Sequence, residues 1–153
     1  MSEEQKRVFQ VQRIYVKDIS FEVPGAPEVF LEKGAPKANV QLANQVRRLG
    51  EQEYEVEVTV TVTAEVNEKT AYIAEVKQAG VFVVAGLSDE ERDQVIGANC
   101  PNILYPYIRE TIASLVSKGT FSAFNLQPIN FDALFQQALA QRQAQAGNAE
   151  AAH

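Results

Sequence analysis

The chain has 153 residues, 46% apolar and 22% charged, enough to build one globular core and too hydrophobic for a disordered chain. A formal net charge of −6, with Lys and Arg scattered rather than clustered, argues against a nucleic-acid partner and suits a basic protein partner. With one cysteine, no apolar run of the roughly 18 residues a bilayer crossing needs, and no apolar region behind Met1–Arg7, the expected setting is the reducing cytoplasm, without disulfide, membrane span or secretory leader.

Residues 8–23 read as a strand that Pro24 terminates, because proline cannot donate to a ladder. Phe9, Val11, Tyr15, Ile19, Phe21 and Val23 are expected on one face, and Gln10, Gln12, Asp18, Ser20 and Glu22 on the other. Arg13, Ile14, Val16 and Lys17 break the alternation, so both faces are expected to meet protein there. From Pro24 to Glu51 there is no clean period, and Pro24, Gly25, Pro27, Gly34, Pro36 and Gly50 punctuate a long crossover segment. Segments of that length tend to be functional, and this one carries Val29, Phe30, Leu31, Val40 and Leu42, which a solvated linker would not need.

The clearest strand is 53–66, where Tyr54, Val56, Val58, Val60, Val62, Ala64 and Val66 alternate with Glu and Thr. That pattern predicts one buried face and one facing water. Asn67-Glu68-Lys69 supplies a short turn, 70–84 returns as a hairpin partner, and Gly80 is expected to mark a bulge. The edges of so long a Val-rich sheet invite pairing, which oligomerisation would cover.

The second half is helical. Ser88-Asp89-Glu90-Glu91 is a capping box, and the helix it starts is expected to weaken near Gly97 and to break or kink at Asn99-Cys100-Pro101. It resumes through Leu104, Ile108, Ile112, Leu115 and Val116 to a stop at Lys118-Gly119. Phe121 to Ile129 is apolar enough to add a fourth strand. Asn130 then caps a last helix with Phe131, Leu134, Phe135, Ala138 and Leu139 on one face. Beyond Arg142 no core-forming residue remains, so the reading is one domain over 1–142 and a disordered tail over 143–153. Strands first and helices after give an α+β fold: a four-stranded antiparallel sheet with helices packed on one face.

Catalysis needs converging groups, and the chain offers few. Its one histidine, His153, ends the tail, so no Ser-His-Asp or Cys-His pair can form around it. Cys100 beside Pro101 reads as a packing residue rather than a nucleophile. No Walker-type loop or dinucleotide fingerprint is present, and zinc lacks ligands. The chain is expected to be no enzyme and to need no cofactor.

Three long, irregular segments resemble the SecB family of protein-export chaperones. They are Arg13-Ile14-Tyr15-Val16-Lys17-Asp18-Ile19-Ser20-Phe21-Glu22-Val23-Pro24-Gly25-Ala26-Pro27, then Gly97-Ala98-Asn99-Cys100-Pro101-Asn102-Ile103-Leu104-Tyr105-Pro106-Tyr107-Ile108-Arg109-Glu110 with Lys118-Gly119-Thr120-Phe121, and finally Asn125-Leu126-Gln127-Pro128-Ile129-Asn130-Phe131-Asp132-Ala133-Leu134-Phe135. With the hairpin between them the likeness covers about Phe9 to Leu139, while the tails and residues 34–52 match weakly.

The resemblance implies a homotetramer built as a dimer of dimers. It implies binding of unfolded precursor polypeptides without ATP, holding them translocation-competent, and delivery to the SecA motor. It puts a client groove between the crossover and the last helix, at Phe30, Val40, Leu42, Leu134, Phe135 and Leu139, with core and groove roles both open for the last three. Gly34 stands where some members carry tryptophan. It puts the SecA contact on an outer sheet face at Asp18, Glu22, Ile73 and Glu75, and strand parity agrees with that grouping. The competing readings are a SecB-like chaperone dedicated to one client, such as an antitoxin, a carrier of a small apolar ligand, and an enzyme using Cys100.

Overall fold

Unbroken alternation makes Glu53–Val66 a strand, β3, whose Val56, Val58, Val60, Val62 and Ala64 are completely buried on one face. Asn67 and Glu68, both with positive φ (50° and 65°), turn the chain back into β4, Lys69–Ala85. The computed structural model, which describes residues 6–151, adds β1 (Val8–Glu22) on the far side of β4 and β2 (Lys37–Arg48) on the far side of β3. All three pairings are antiparallel, giving the order β1-β4-β3-β2 with β1 and β2 at the edges.

The helices lie on one face of this sheet. Helix α1 (Asp89–Gln94) begins at Ser88, whose hydroxyl accepts the Glu91 N–H at 3.2 Å. Helix α2 (Cys100–Lys118) lays Leu104, Ile108, Ile112 and Val116, one residue per turn and all fully buried, over β4 and β3. Full burial of each such side chain stabilises the fold by about 1.5–3 kcal/mol, so this stripe fixes the helix on the sheet. Helix α3 (Phe131–Ala151) begins at Asn130, whose side-chain oxygen accepts the Ala133 N–H at 3.0 Å.

Several expectations are corrected. The fourth strand is β2, inside the crossover, whereas residues 121–129 are irregular and held by buried Leu126 and by the Tyr105 hydroxyl, which donates to the Gln127 carbonyl at 2.5 Å. In β1 the register slips between Val11 and Arg13 and again between Val16 and Asp18. Each slip adds a residue and flips the parity, so Ile14 and Val16 join Phe9, Val11, Ile19 and Phe21 on the helix side, and Tyr15 turns to the outer face. Gly80 is in regular register and is no bulge. A Cβ there would come within 2.8 Å of the Phe82 ring and 3.0 Å of the Arg13 carbonyl, so the position needs a residue without a side chain.

The helix does not break before Pro101, and the weakening expected near Gly97 is a π-turn. Val95–Asn99 form a π-turn, closed by the Cys100 N–H on the Val95 carbonyl, that joins α1 to α2. The wider turn makes room for the Pro101 ring, whose missing N–H then falls at the start of α2. Composition predicts disorder over 143–153, yet α3 continues to Ala151. Ala and Gln are good helix formers, and residues 140–148 are exposed there without a core to pack on. His153 lies outside the described residues.

Candidate functional site

Because α2 sits mainly over β4 and β3, the helix-side row of β2 is left largely open. That row is Val40, Leu42, Asn44, Val46 and Arg48, paired with Val62, Val60, Val58, Val56 and Tyr54 of β3. Val40 and Val46 remain 40% and 46% exposed. From Val40 to Arg48 the row is about 27 Å long at the usual rise per strand residue. It forms the floor of a trough, and the outer edge of β2 carries backbone donors and acceptors that no other strand among the described residues pairs.

Helix α3 makes the facing wall at one end. Phe131 is buried edge-on against Tyr105, with ring centroids 5.5 Å apart. Gln94 donates to Asp132 at 2.7 Å and accepts from Gln136 at 3.1 Å. Phe135 lies across Gly97 of the π-turn so closely that any Cβ there would collide with its ring. Between β2 and this wall is a cleft of about 610 Å³ floored by Val46, Tyr54 and Ile96 and flanked by Leu134, Phe135 and Ala138. Leu134 is 40% exposed.

The predicted client residues therefore divide. Leu134 and Phe135 line the cleft, while Leu139 is half-buried further along α3 and is not part of its wall. Val40 and half-buried Leu42 lie in the same trough toward the other end of β2. Phe30 belongs to the 3-10 turn Glu28–Leu31, pinned by buried Val29, and its half-exposed ring packs on Phe121 at 5.7 Å. Phe121 in turn meets Tyr72 at 4.9 Å, over the Ala64–Tyr72 pair, two ladder steps beyond the pair that Val62 makes with Val40 when counted along β3. Sequence reasoning missed Val46, Tyr54 and Ile96 as floor residues. Val46 continues the alternation of Val40 and Leu42, so its signal was present. The arginines of the cleft, Arg48, Arg92 and Arg142, come from separate elements and had none.

Among the described residues the opposite face of the sheet carries no helix. Register places Glu22 opposite Ile73, Ser20 opposite Glu75 and Asp18 opposite Lys77, so Asp18, Glu22, Ile73 and Glu75 share that outer face. The Thr61 hydroxyl donates to the Glu75 carboxylate at 2.9 Å and orients it. Asp18 and Glu22 are exposed.

At the other end of the same face, Glu55 and Glu57 were expected in water and are 8% exposed. The bulge at Lys17 brings its ammonium to 3.0 Å from Glu55 and 3.6 Å from Glu57, and the Tyr15 hydroxyl also donates to Glu55. Hydrogen bonds from Tyr15 and Lys17 hold the Glu55 carboxyl below the usual carboxylate range. Burial, reinforced by Glu55, pushes the Tyr15 hydroxyl up to about 12. Lys17 thus bridges Glu55 and Glu57 at one end, while at the other Asp18, Glu22 and Glu75 make no ion pair among the described residues, with Lys77 opposite Asp18.

Cys100 is fully buried, and that burial pushes its thiol up to about 12, which removes the nucleophilic thiolate at neutral pH. Among the described residues no group of His, Cys, Asp and Glu could hold a metal, and no helix is long and apolar enough to cross a membrane.

Comparison with known proteins gives a consistent result. The family described as preprotein translocase subunit SecB matches residues 2–142. The chain is 62% identical to the protein-export protein SecB of Alcanivorax borkumensis over 155 aligned positions, covering 99% of this chain and 97% of the relative. It is 51% identical to that of Alkalilimnicola ehrlichii, covering 97% and 83%. A solved SecB-like chaperone of Mycobacterium tuberculosis, in complex with an antitoxin peptide, superimposes with a TM-score of 0.65 at 17% identity, covering 79% of this chain and 90% of that one. That last likeness is one of fold.

Proposed function

This chain belongs to the SecB family of protein-export chaperones, not enzymes, and from that premise we propose that it holds unfolded precursors in the trough along β2 without ATP, in the cytoplasm. The observation that carries the reading is the open apolar row of β2 facing α3. An extended client segment lying there would add its backbone to the free edge of β2 and drop alternate side chains into the trough. Neither part discriminates strongly between sequences, which suits a chaperone of many precursors.

Each trough buries little area once the ordering of the client is deducted, so one contact is weak. A homotetramer, the dimer of dimers expected for the family, supplies several troughs to one chain and raises retention through effective concentration. The carboxylates of Asp18, Glu22 and Glu75 around Ile73 then offer a docking face for a basic segment of SecA, on the side of the sheet away from the client. Binding and hand-off would use opposite faces of one sheet.

The test mixes the purified protein, without nucleotide, with a slow-folding precursor diluted from denaturant. Light scattering should show suppressed aggregation, and size exclusion a complex at tetramer mass. Val46→Glu, which puts a charge on the floor of the trough, should abolish both while leaving the fold intact. Full retention of holding by that variant would remove the trough from the mechanism. Glu75→Lys should spare holding and weaken SecA binding, and unchanged SecA affinity would reject the outer face as the docking site.

A further inference from the structure

We infer that Glu55 and Glu57 draw the Lys17 ammonium away from Asp18, and so act as positioning residues that keep the docking face acidic for SecA. The inference rests on the reading of the outer face as the SecA dock. A bulge sets a cation beside the first carboxylate of that face.

In the ladder Val16 stands opposite Gln78 and Asp18 opposite Lys77, which leaves Lys17 as the extra residue of the bulge. Two residues of the bulged strand then answer to one on its neighbour, and Lys17 and Asp18 emerge side by side on the outer face. Left to itself, the ammonium would have Asp18 as its nearest partner in sequence. It goes the other way instead, across β4 to β3, where it lies 3.0 Å from Glu55 and 3.6 Å from Glu57. Those carboxylates belong to a strand two steps away, about 10 Å at the usual strand spacing. The crossing passes over Ala79, which stands opposite Tyr15 on one side and Glu57 on the other. Ala79 is fully buried although no helix covers this face among the described residues, so the side chains that cross it are its cover. The Tyr15 hydroxyl donates to Glu55 and fixes the same carboxylate from the side.

Glu55 and Glu57 are themselves buried, so a partner on this face meets little of their charge directly. Asp18 and Glu22 are exposed, and neither they nor Lys77 make an ion pair among the described residues. Releasing Lys17 would bring a second cation beside Asp18, in competition with the basic segment that docks there. The competing groups are solvent-accessible, so the effect is modest, about fourfold in affinity at low salt.

Calorimetry with purified SecA at low salt tests this as a double-mutant cycle. Glu55→Gln should weaken binding about fourfold. In a chain that already carries Lys17→Met the same change should cost less than about 1.5-fold, because no cation remains to be released. Added salt should close the gap between wild type and Glu55→Gln. Equal weakening in both backgrounds, the mark of a loosened sheet or of a lost negative charge acting directly, overturns the inference. Glu57→Gln removes only the longer contact and leaves Tyr15 bonded to Glu55, so it should give the same sign at smaller size even if Glu55→Gln fails to fold. Unchanged affinity in the glutamine variants, with Glu75→Lys still weakening SecA binding, overturns the inference and leaves the dock in place. Unchanged affinity in all of them, Glu75→Lys included, removes the dock and the inference together.

Discussion

Replacing Gly97 with alanine should unlatch α3 without unfolding the domain. A Cβ at that position would lie 2.5 Å from Cε2 of Phe135 and closer still to Cδ2, whereas non-bonded carbons settle near 3.5 Å. The ring must therefore retreat by about 1 Å, and α3 with it, because Phe135 shares its helix with Asp132 and Gln136, the partners of Gln94. Forcing an extra methyl into a packed contact costs about 1–3 kcal/mol, offset in part by the roughly 0.8–1 kcal/mol by which alanine favours helical backbone over glycine. Global stability should fall by no more than about 2 kcal/mol, since the α2 stripe on β3 and β4 is untouched.

The docking of α3 bears the whole strain, and at 1.4 kcal/mol per factor of ten its amides should exchange about tenfold faster or more. Hydrogen exchange resolved along the chain tests this: protection should drop over residues 131–142 and stay constant in α2 and β3. Adding Phe135→Leu should restore part of it by shortening the side chain. Unchanged protection of α3 in the alanine variant, or loss spread evenly over the core, would refute the latch.

Three further outcomes are expected. Glu55→Gln should lower the unfolding free energy at neutral pH by about 1–3 kcal/mol for the lost charged hydrogen bonds, read as a lower urea midpoint. Because the folded carboxyl titrates below its unfolded value of roughly 4.3, that contribution is present above this pH and disappears as pH falls through the folded value, so wild type and variant should converge in acid. A difference that persists in strong acid would point to packing instead. Native Cys100 should resist iodoacetamide at mildly alkaline pH and react within the normal range once urea unfolds the chain; mass spectrometry showing rapid native alkylation would contradict its burial. Ile108→Ala, in the middle of the buried stripe, should cost about 2–5 kcal/mol, read from denaturant melts.

The hairpin β3–β4, both helix caps and the stripe of α2 were legible because each is a local pattern: period two, a capping residue at a fixed offset, or one apolar residue per turn. What was not legible depended on partners distant in sequence. Strand β2 is an edge, open on its helix side, so Asn44 sits among its apolar positions and the alternation is diluted. Residues 121–129 are apolar for another reason, since Leu126 enters the core and Phe121 and Ile129 pack against it without pairing in a sheet. The burial of Glu55 and Glu57 depends on a bulge some forty positions away at Lys17, and no pattern within β3 announces it. The four outer-face residues were grouped correctly because Asp18 and Glu22 follow the second bulge and keep their mutual parity. The cleft arginines, at 48, 92 and 142, meet only after folding.

The π-turn also sets a phase. A helix advances about 100° per residue, so one extra residue would turn every later side chain of α2 away from the sheet if the wider turn over Val95–Asn99 did not absorb it. Deleting one residue there should restore ordinary pitch and keep Leu104, Ile108, Ile112 and Val116 on the sheet, but it removes the room that the wider turn gives the Pro101 ring. The cost of such a deletion should therefore be that of an interior proline, about 3 kcal/mol, rather than a rotated helix.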